Sequence, residues 1–189
     1  MNFLAHLHLG QHLPTIEAAG NLTADHCKQA GNDAFRRGVM VHRTIDAYTD
    51  AHPLTAKARA LFPGSYRRFG GVLSDLVFDH CLARTWEEWS DHDSVDAFVS
   101  MQLTSMLAQS DQLPAEAVEA ISRMDRGQWL QSYAEIEGMR ITIERIVRRR
   151  PFAVRMLGAE AIMETHYEGF EHLFRKFYPL LQARVQEEL

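Results

Sequence analysis

Several potential metal ligands lie in the first eighty residues, and two of them share one face of a predicted helix. In the segment VHRTIDAYTD (41–50), His42 and Asp46 are four residues apart, a spacing that places both side chains on one side of a helix. Imidazole and carboxylate together suit Mn²⁺, Mg²⁺, Fe²⁺ or Zn²⁺, whereas closed structural zinc sites usually contain cysteine. By itself, the pair is equally compatible with a polar surface helix or a simple His–Asp hydrogen bond.

A further carboxylate, Asp79, lies in the apolar segment LVFDHCL (76–82). A buried carboxylate is costly unless it is paired or bound to a metal, so Asp79 predicts either a metal site or an ion pair with an arginine. Asp75 and His80 beside it strengthen the metal interpretation. A metal held by His and Asp from several helices favours hydrolysis of phosphate esters, because it activates water and neutralises phosphoryl charge. A neighbouring His or Asp would then protonate the leaving group.

Composition and missing motifs exclude several other classes. The 189 residues are 46% hydrophobic and 24% charged, and no apolar run approaches the ~20 residues that span a bilayer. The first segment, MNFLAHLHLGQHL, has no Lys or Arg and does not fit a signal peptide. The net charge of −5 argues against nucleic acid or an anionic membrane as partner. Two cysteines without metal-type spacing predict a reduced, cytoplasmic protein, and the P-loop, H-E-x-x-H and G-x-S-x-G motifs are missing.

Helical periodicity dominates and predicts a single all-α domain over residues 1–189. The one alternating, strand-like stretch is FLAHLHLG (3–10). The predicted helices are 34–49, capped by Asn32 or Asp33 and ending before Pro53; 70–86; 94–109, capped by Ser94; 114–127; 129–149, continuous or broken near Gly138; and 158–189, kinked or broken at Pro179. Asp50 and His52, close to Pro53, are expected at or past the helix end, as capping residues or as residues that support the metal ligands.

Arginine is concentrated in one late segment. Residues 140–155 contain six arginines and a single acid, Glu144. Guanidinium groups bind carboxylates and phosphates as a planar fork. Either this content reflects a GC-rich coding bias, or the segment binds an anionic partner.

Six blocks closely resemble the bacterial acyl carrier protein phosphodiesterase family, in order over nearly the whole chain. They are MNFLAHLHL (1–9), GNLTAD (20–25), VHRTIDAYTD (41–50), DHCLARTW (79–86), RRRP (148–151) and HYEGFEHLFRKFYP (166–179). The resemblance implies a helical bundle like that of HD phosphohydrolases, although the adjacent His-Asp pair is reversed here as Asp79-His80. It also implies hydrolysis of the phosphodiester between 4′-phosphopantetheine and a serine of acyl carrier protein, with Mn²⁺ favoured and Mg²⁺, Fe²⁺ or Co²⁺ as alternatives.

Matched block by block, the resemblance implies a metal shell of Asp25, His42, Asp46 and Asp79. It implies roles in proton transfer or phosphate contact for His6 and His80. Acyl carrier proteins are strongly acidic, so a basic docking surface is expected, and the candidates are Arg148, Arg149 and Arg150. Two alternatives remain: a phosphohydrolase acting on a small molecule such as a nucleotide, and a non-enzymatic module that binds acidic proteins.

Overall fold

The computed structural model describes residues 1–28 and 31–187, and within these residues it contains α- and 3₁₀-helices but no strand. The all-α prediction is therefore confirmed. No helix in this described part of the chain is long and apolar enough to cross a bilayer. The α-helices are α1 Phe3–Leu9, α2 Thr15–Thr23, α3 Asp33–Ala51, α4 Pro53–Ala60, α5 Gly70–Arg84, α6 Val95–Leu107, α7 Ala115–Gly127, α8 Ile136–Arg149, α9 Ala159–Thr165 and α10 Tyr167–Gln186.

The helix that carries His42 and Asp46 begins and ends as the sequence predicts. The side chain of Asn32 accepts a hydrogen bond of 2.9 Å from the backbone N–H of Phe35, which satisfies one of the free donors at the start of α3. At the other end, His52 separates α3 from α4, and its ring accepts a hydrogen bond of 3.2 Å from the N–H of Leu54. Pro53 then occupies the first position of α4, where its missing N–H costs nothing.

Two glycines allow α2 and α3 to pack with their backbones in contact. A Cβ on Gly38 would lie 1.8 Å from the carbonyl oxygen of Glu17, and one on Gly20 would lie 2.2 Å from that of Phe35. Both distances are far below van der Waals contact, so only glycine permits this approach. As a result, Asn21 of α2 reaches His42 of α3.

The late helices break at other positions than the sequence predicts. Residues 129–149 divide at Glu135, where a 3₁₀ turn ends and α8 begins, while Gly138 lies inside α8 and packs against Ser132. The last segment divides at His166, and Pro179 lies within α10. Tertiary burial of the aromatic face of α10 outweighs the hydrogen bond that the proline removes.

The strand-like stretch at the N-terminus is a short helix. Isolated helices of seven residues are unstable, so α1 depends on tertiary contacts. It lies against α2 and against α5, which is central and buried along most of its length. Alternating leucine and histidine suit this position because α1 is enclosed on nearly every side.

Candidate metal centre

His6, His42 and Asp46 form a compact cluster between α1 and α3. Their candidate ligand atoms all lie within 4.8 Å of one another. The Nε2 atom of His6 is 3.1 Å from Oδ1 of Asp46, and the Nε2 atom of His42 is 3.1 Å from Oδ2. The two imidazole rings stack with their centroids 4.1 Å apart. One carboxylate thus lies between two histidine nitrogens.

Asn21 determines which nitrogen of each ring faces that carboxylate. The Nδ1 atom of His42 is 2.7 Å from the carbonyl oxygen of Asn21, which can only accept, so Nδ1 donates. The side-chain amide of Asn21 donates to the carbonyl oxygen of His6 at 2.6 Å, and its oxygen, 3.1 Å from Nδ1 of His6, accepts from that ring. In neutral rings, both Nε2 lone pairs therefore point at Asp46.

This convergence of lone pairs fits a cation. Two imidazole nitrogens and a carboxylate repel one another unless a proton or a metal ion lies between them. Histidines that hold a metal through one nitrogen usually donate the other to a carbonyl or amide oxygen, which is the arrangement of His6 and His42. The donor set therefore fits a divalent metal ion.

Burial and the neighbouring side chains determine which residues of the cluster are protonated. Burial lowers the pKa of His6 to about 4, although Asp46 opposes this. Burial also disfavours the charged form of His42, but hydrogen bonds with Asp25 and Asp46 raise its pKa to about 9. Burial would raise the pKa of Asp46, yet the two histidines hold it well below its usual range. A proton on His42 and a metal ion are thus alternative cations in one place.

Asp25 lies at the rim of the same site, in the 3₁₀ turn that follows α2. Its Oδ1 atom is 3.5 Å from Nε2 of His42, and its side chain is 81% exposed. The close approach of His42 lowers the pKa of Asp25. Asp25 could therefore join the cluster as a further ligand from the rim.

An acidic pocket of about 210 Å³ opens beside the cluster. We use this name for the cavity whose walls include the carboxylates of Asp25, Asp46, Asp50 and Asp75. The amino nitrogen of Met1 is 3.3 Å from Asp75 and 3.5 Å from Asp46. Burial raises the pKa of Asp75. Asp50 is set apart from the others by an ion pair of 2.7 Å with Arg59.

Asp79 lies behind the cluster and caps helix α1. It is fully buried, and its Oδ2 atom accepts a hydrogen bond of 2.7 Å from the N–H of Leu4. Its Oδ1 atom accepts bonds of 3.3 Å from the N–H groups of Asn2 and Ala5. Burial raises its pKa to about 7. Asp79 thus holds the helix that presents His6, and backbone N–H groups, rather than an arginine or the cluster, are its partners.

His80 is directed away from the cluster. Its Nδ1 atom is 2.6 Å from the carbonyl oxygen of Tyr133, and its ring lies edge-on to Tyr167. Burial lowers its pKa, which keeps the ring neutral. The structure therefore brings together His6, His42, Asp46 and Asp25, and leaves Asp79 and His80 outside this group.

Sequence reasoning missed Asn21, which orients both histidines. The available signal was a polar residue in the apolar helix α2, where Asn21 is fully buried. A buried amide needs partners for its donors and acceptors, so its position predicts a hydrogen-bond network, although not the identity of the partners.

The three predicted docking arginines lie at the end of α8 and differ in their surroundings. The side chain of Arg148 is 75% exposed and lies 3.4 Å from Glu144. The guanidinium group of Arg149 lies 5.5 Å from the ring centroid of Trp129, while Arg150 follows the helix and is exposed. All three side chains are exposed, and Arg149 also lines the cavity that contains Trp129.

Known proteins match this chain over nearly its whole length. The family model described as "Acyl carrier protein phosphodiesterase" matches residues 1–181. The chain is similar to proteins named acyl carrier protein phosphodiesterase from three bacteria. The protein from Yersinia enterocolitica is 31% identical over 192 residues, which cover 100% of this chain and 99% of the relative. The proteins from Pectobacterium atrosepticum (32% over 195 residues, 99% of this chain and 100% of the relative) and Escherichia coli O139:H28 (29% over 192 residues, 100% and 99%) are similar over the same extent. No solved structure matches it.

Proposed function

This chain belongs to the acyl carrier protein phosphodiesterase family, and we propose that it hydrolyses the phosphodiester between 4′-phosphopantetheine and a serine of acyl carrier protein. The reaction converts holo carrier to apo carrier. We further propose that a divalent metal ion, preferably Mn²⁺, assists it, with Mg²⁺, Fe²⁺ or Co²⁺ as substitutes. The observation that carries this proposal is the convergence of His6, His42 and Asp46 on one point at the edge of the acidic pocket.

The metal would be held by His6, His42 and Asp46 from the interior and by Asp25 from the rim. When bound, such an ion lowers the pKa of water and offsets the charge of the phosphoryl oxygens. Asn21 keeps both imidazole rings in the orientation that leaves their Nε2 atoms free for this purpose. Asp79 contributes indirectly, because it fixes helix α1; a direct role as ligand stays a prediction.

In the proposed reaction, a water molecule loses a proton as its oxygen adds to phosphorus, and the bond between phosphorus and the serine oxygen breaks. The serine oxygen leaves as an alkoxide and takes up a proton. Of the two residues predicted for this step, His6 is proposed above as a metal ligand through Nε2, and His80 lies outside the cluster. Asp75 is a further candidate acid, because it lines the acidic pocket and burial raises its pKa.

An acidic partner would account for the cluster of arginines at the end of α8. Arg148, Arg149 and Arg150 give this edge a local positive charge on a protein whose net charge is −5. Complementary charge accelerates the encounter with an acidic carrier protein and orients it. We place the reaction in the cytoplasm, and Cys27 and Cys81, which are free thiols, agree with a reducing compartment.

The decisive test is incubation with holo acyl carrier protein and Mn²⁺, followed by mass spectrometry of the carrier. We expect loss of the phosphopantetheine mass, prevented by a chelator and by Asp46→Asn. Asp50→Asn is the matched control, since Asp50 lines the same pocket but pairs with Arg59. An unchanged carrier mass with the wild-type protein contradicts the proposal. Turnover of nucleotides instead would favour the small-molecule alternative, and carrier binding without any turnover would favour the non-enzymatic one.

A further inference from the structure

A second cavity adjoins the acidic pocket. It measures about 70 Å³, and Asn2 and Ile146 line both cavities. Its other walls include Phe3, Trp129 and Arg149, and we call it the tryptophan pocket. The two cavities are therefore neighbours, and a ligand long enough to extend past Asn2 and Ile146 could occupy both.

Two arginines lie over the tryptophan ring in this pocket. Arg145 and Arg149 are one turn apart on α8, and their guanidinium carbons lie 5.0 and 5.5 Å from the ring centroid of Trp129. Within residues 1–28 and 31–187, neither has a carboxylate partner, although Arg140 on the same helix is paired with Glu137 and Glu144. Two adjacent cations without an acid between them are suited to an anion.

Because this positive charge lies next to a cavity with four carboxylates, few kinds of ligand could occupy both cavities. A ligand that spans both cavities needs a phosphate near their junction and a partly apolar extension from it. The substrate of the proposed function has this form, because the phosphate continues into a chain with a branched dimethyl carbon and two amides. A phosphate oxygen can accept from guanidinium groups, and an amide or methyl group can pack against the aromatic side chains of the pocket.

We propose that the tryptophan pocket binds the pantetheine arm of the substrate, with Arg145 and Arg149 on the phosphate and Trp129 and Phe3 against the first part of the arm. This inference rests on the proposed function. It assigns Arg149 to the prosthetic group rather than to the surface of the carrier protein. Arg148 and Arg150, which are exposed beside it, are left to contact the carrier.

The test compares holo and apo carrier, which differ only in the arm. Dissociation constants are measured with chelator present, so that no turnover occurs. The wild-type protein should bind holo carrier about tenfold more tightly than apo carrier, and Arg145→Gln or Arg149→Gln should abolish this preference. Arg148→Glu should weaken the binding of both carriers equally. Arg140→Gln, a matched change on the same helix outside the pocket, should keep the preference.

Free 4′-phosphopantetheine and pantetheine give a second readout that does not involve the carrier. Both should quench the fluorescence of Trp129. Arg145→Gln should weaken binding of the phosphorylated compound by about tenfold and leave pantetheine unaffected. Trp129→Phe removes this fluorescence change while preserving an aromatic wall, and thermal melts verify that each variant is folded.

The results separate this inference from the proposed function. If the wild-type protein releases phosphopantetheine but Arg145→Gln and Arg149→Gln still prefer holo carrier, the arm binds elsewhere and only this inference is overturned. If phosphopantetheine is not released from holo carrier in the presence of Mn²⁺, the proposed function fails. Binding of free 4′-phosphopantetheine with equal affinity to wild type and both arginine variants likewise overturns the assignment of the pocket.

Discussion

His6 and His8 are two residues apart on the same short helix, yet they occupy different chemical surroundings. Both are buried, and burial lowers the pKa of each to about 4. The Nε2 atom of His6 faces Asp46 at the edge of the acidic pocket. The ring of His8 lies in the aromatic core, with Nδ1 2.7 Å from the hydroxyl of Tyr178 and Nε2 3.0 Å from the carbonyl oxygen of Trp89.

The comparison shows that burial and a lowered pKa do not separate a histidine proposed as a metal ligand from one that packs in the core. Both nitrogens of His8 have hydrogen-bond partners whose roles complement it, so the ring is satisfied inside the core. His6 has such a partner on one side only, and its other nitrogen meets a carboxylate and a second imidazole. Converging acceptors, rather than burial, make His6 a candidate metal ligand.

The sharpest test replaces each histidine by glutamine. We expect His6→Gln to lower kcat by roughly 10³-fold, because it removes a proposed metal ligand. His8→Gln should leave kcat of the folded protein within a few fold and lower its melting temperature. Turnover of holo carrier and thermal denaturation of both variants measure this. An equal loss of kcat in the two variants would remove the functional distinction between the two residues.

Asp79→Ala tests the carboxylate that caps α1, the helix that carries both histidines. This change leaves three backbone N–H groups at the start of α1 without their acceptor. We expect it to lower the free energy of unfolding by about 3 kcal/mol. Denaturation by urea measures the loss.

Asp79→Asn separates capping from metal binding. The amide oxygen can still accept part of the hydrogen bonds, so we expect a smaller loss of stability and retained Mn²⁺ binding. If Asp79→Asn abolished Mn²⁺ binding while stability stayed at the wild-type level, Asp79 would be a ligand, as the family resemblance implies.

Added metal should stabilise the folded protein by binding at the His6 cluster, and His8 should have no part in this effect. At 100 times its dissociation constant, Mn²⁺ should raise the free energy of unfolding by about 2.7 kcal/mol, because it binds only the folded state. Calorimetric melts with and without Mn²⁺ detect this change. His42→Ala should abolish the stabilisation, and His8→Gln should retain it. A wild-type protein that melts identically with Mn²⁺ would contradict the metal site.

Acid should reveal the structural role of His8. The folded protein binds a proton at His8 only near pH 4, whereas the unfolded chain does so near 6.5. Stability from this residue is therefore complete above pH 6.5 and falls as the pH decreases towards 4. By pH 5 the loss is about 2 kcal/mol. Urea denaturation of His8→Gln between pH 8 and pH 5 should show a flatter acid limb than wild type, and an unchanged slope would contradict this assignment.

The sequence alone predicted the elements whose signals are local. The start of α3 at Asn32, its end before Pro53, the Ser94 cap of α6 and the end of α7 at Gly127 follow from capping and turn chemistry within a few residues. The pairing of His42 with Asp46 is equally local, because helical periodicity places them on one face.

Tertiary packing decided what depends on distant residues. Pro179 remains inside α10 because burial of the aromatic face outweighs the lost hydrogen bond. Asp79 caps α1 from a helix more than seventy residues away, and Asn21 orients both histidines only because Gly20 and Gly38 let α2 and α3 touch. His6 and His8 look alike in the sequence, and only the fold decides which of them faces a carboxylate and which faces a tyrosine, since periodicity identifies a helix face but not what covers it.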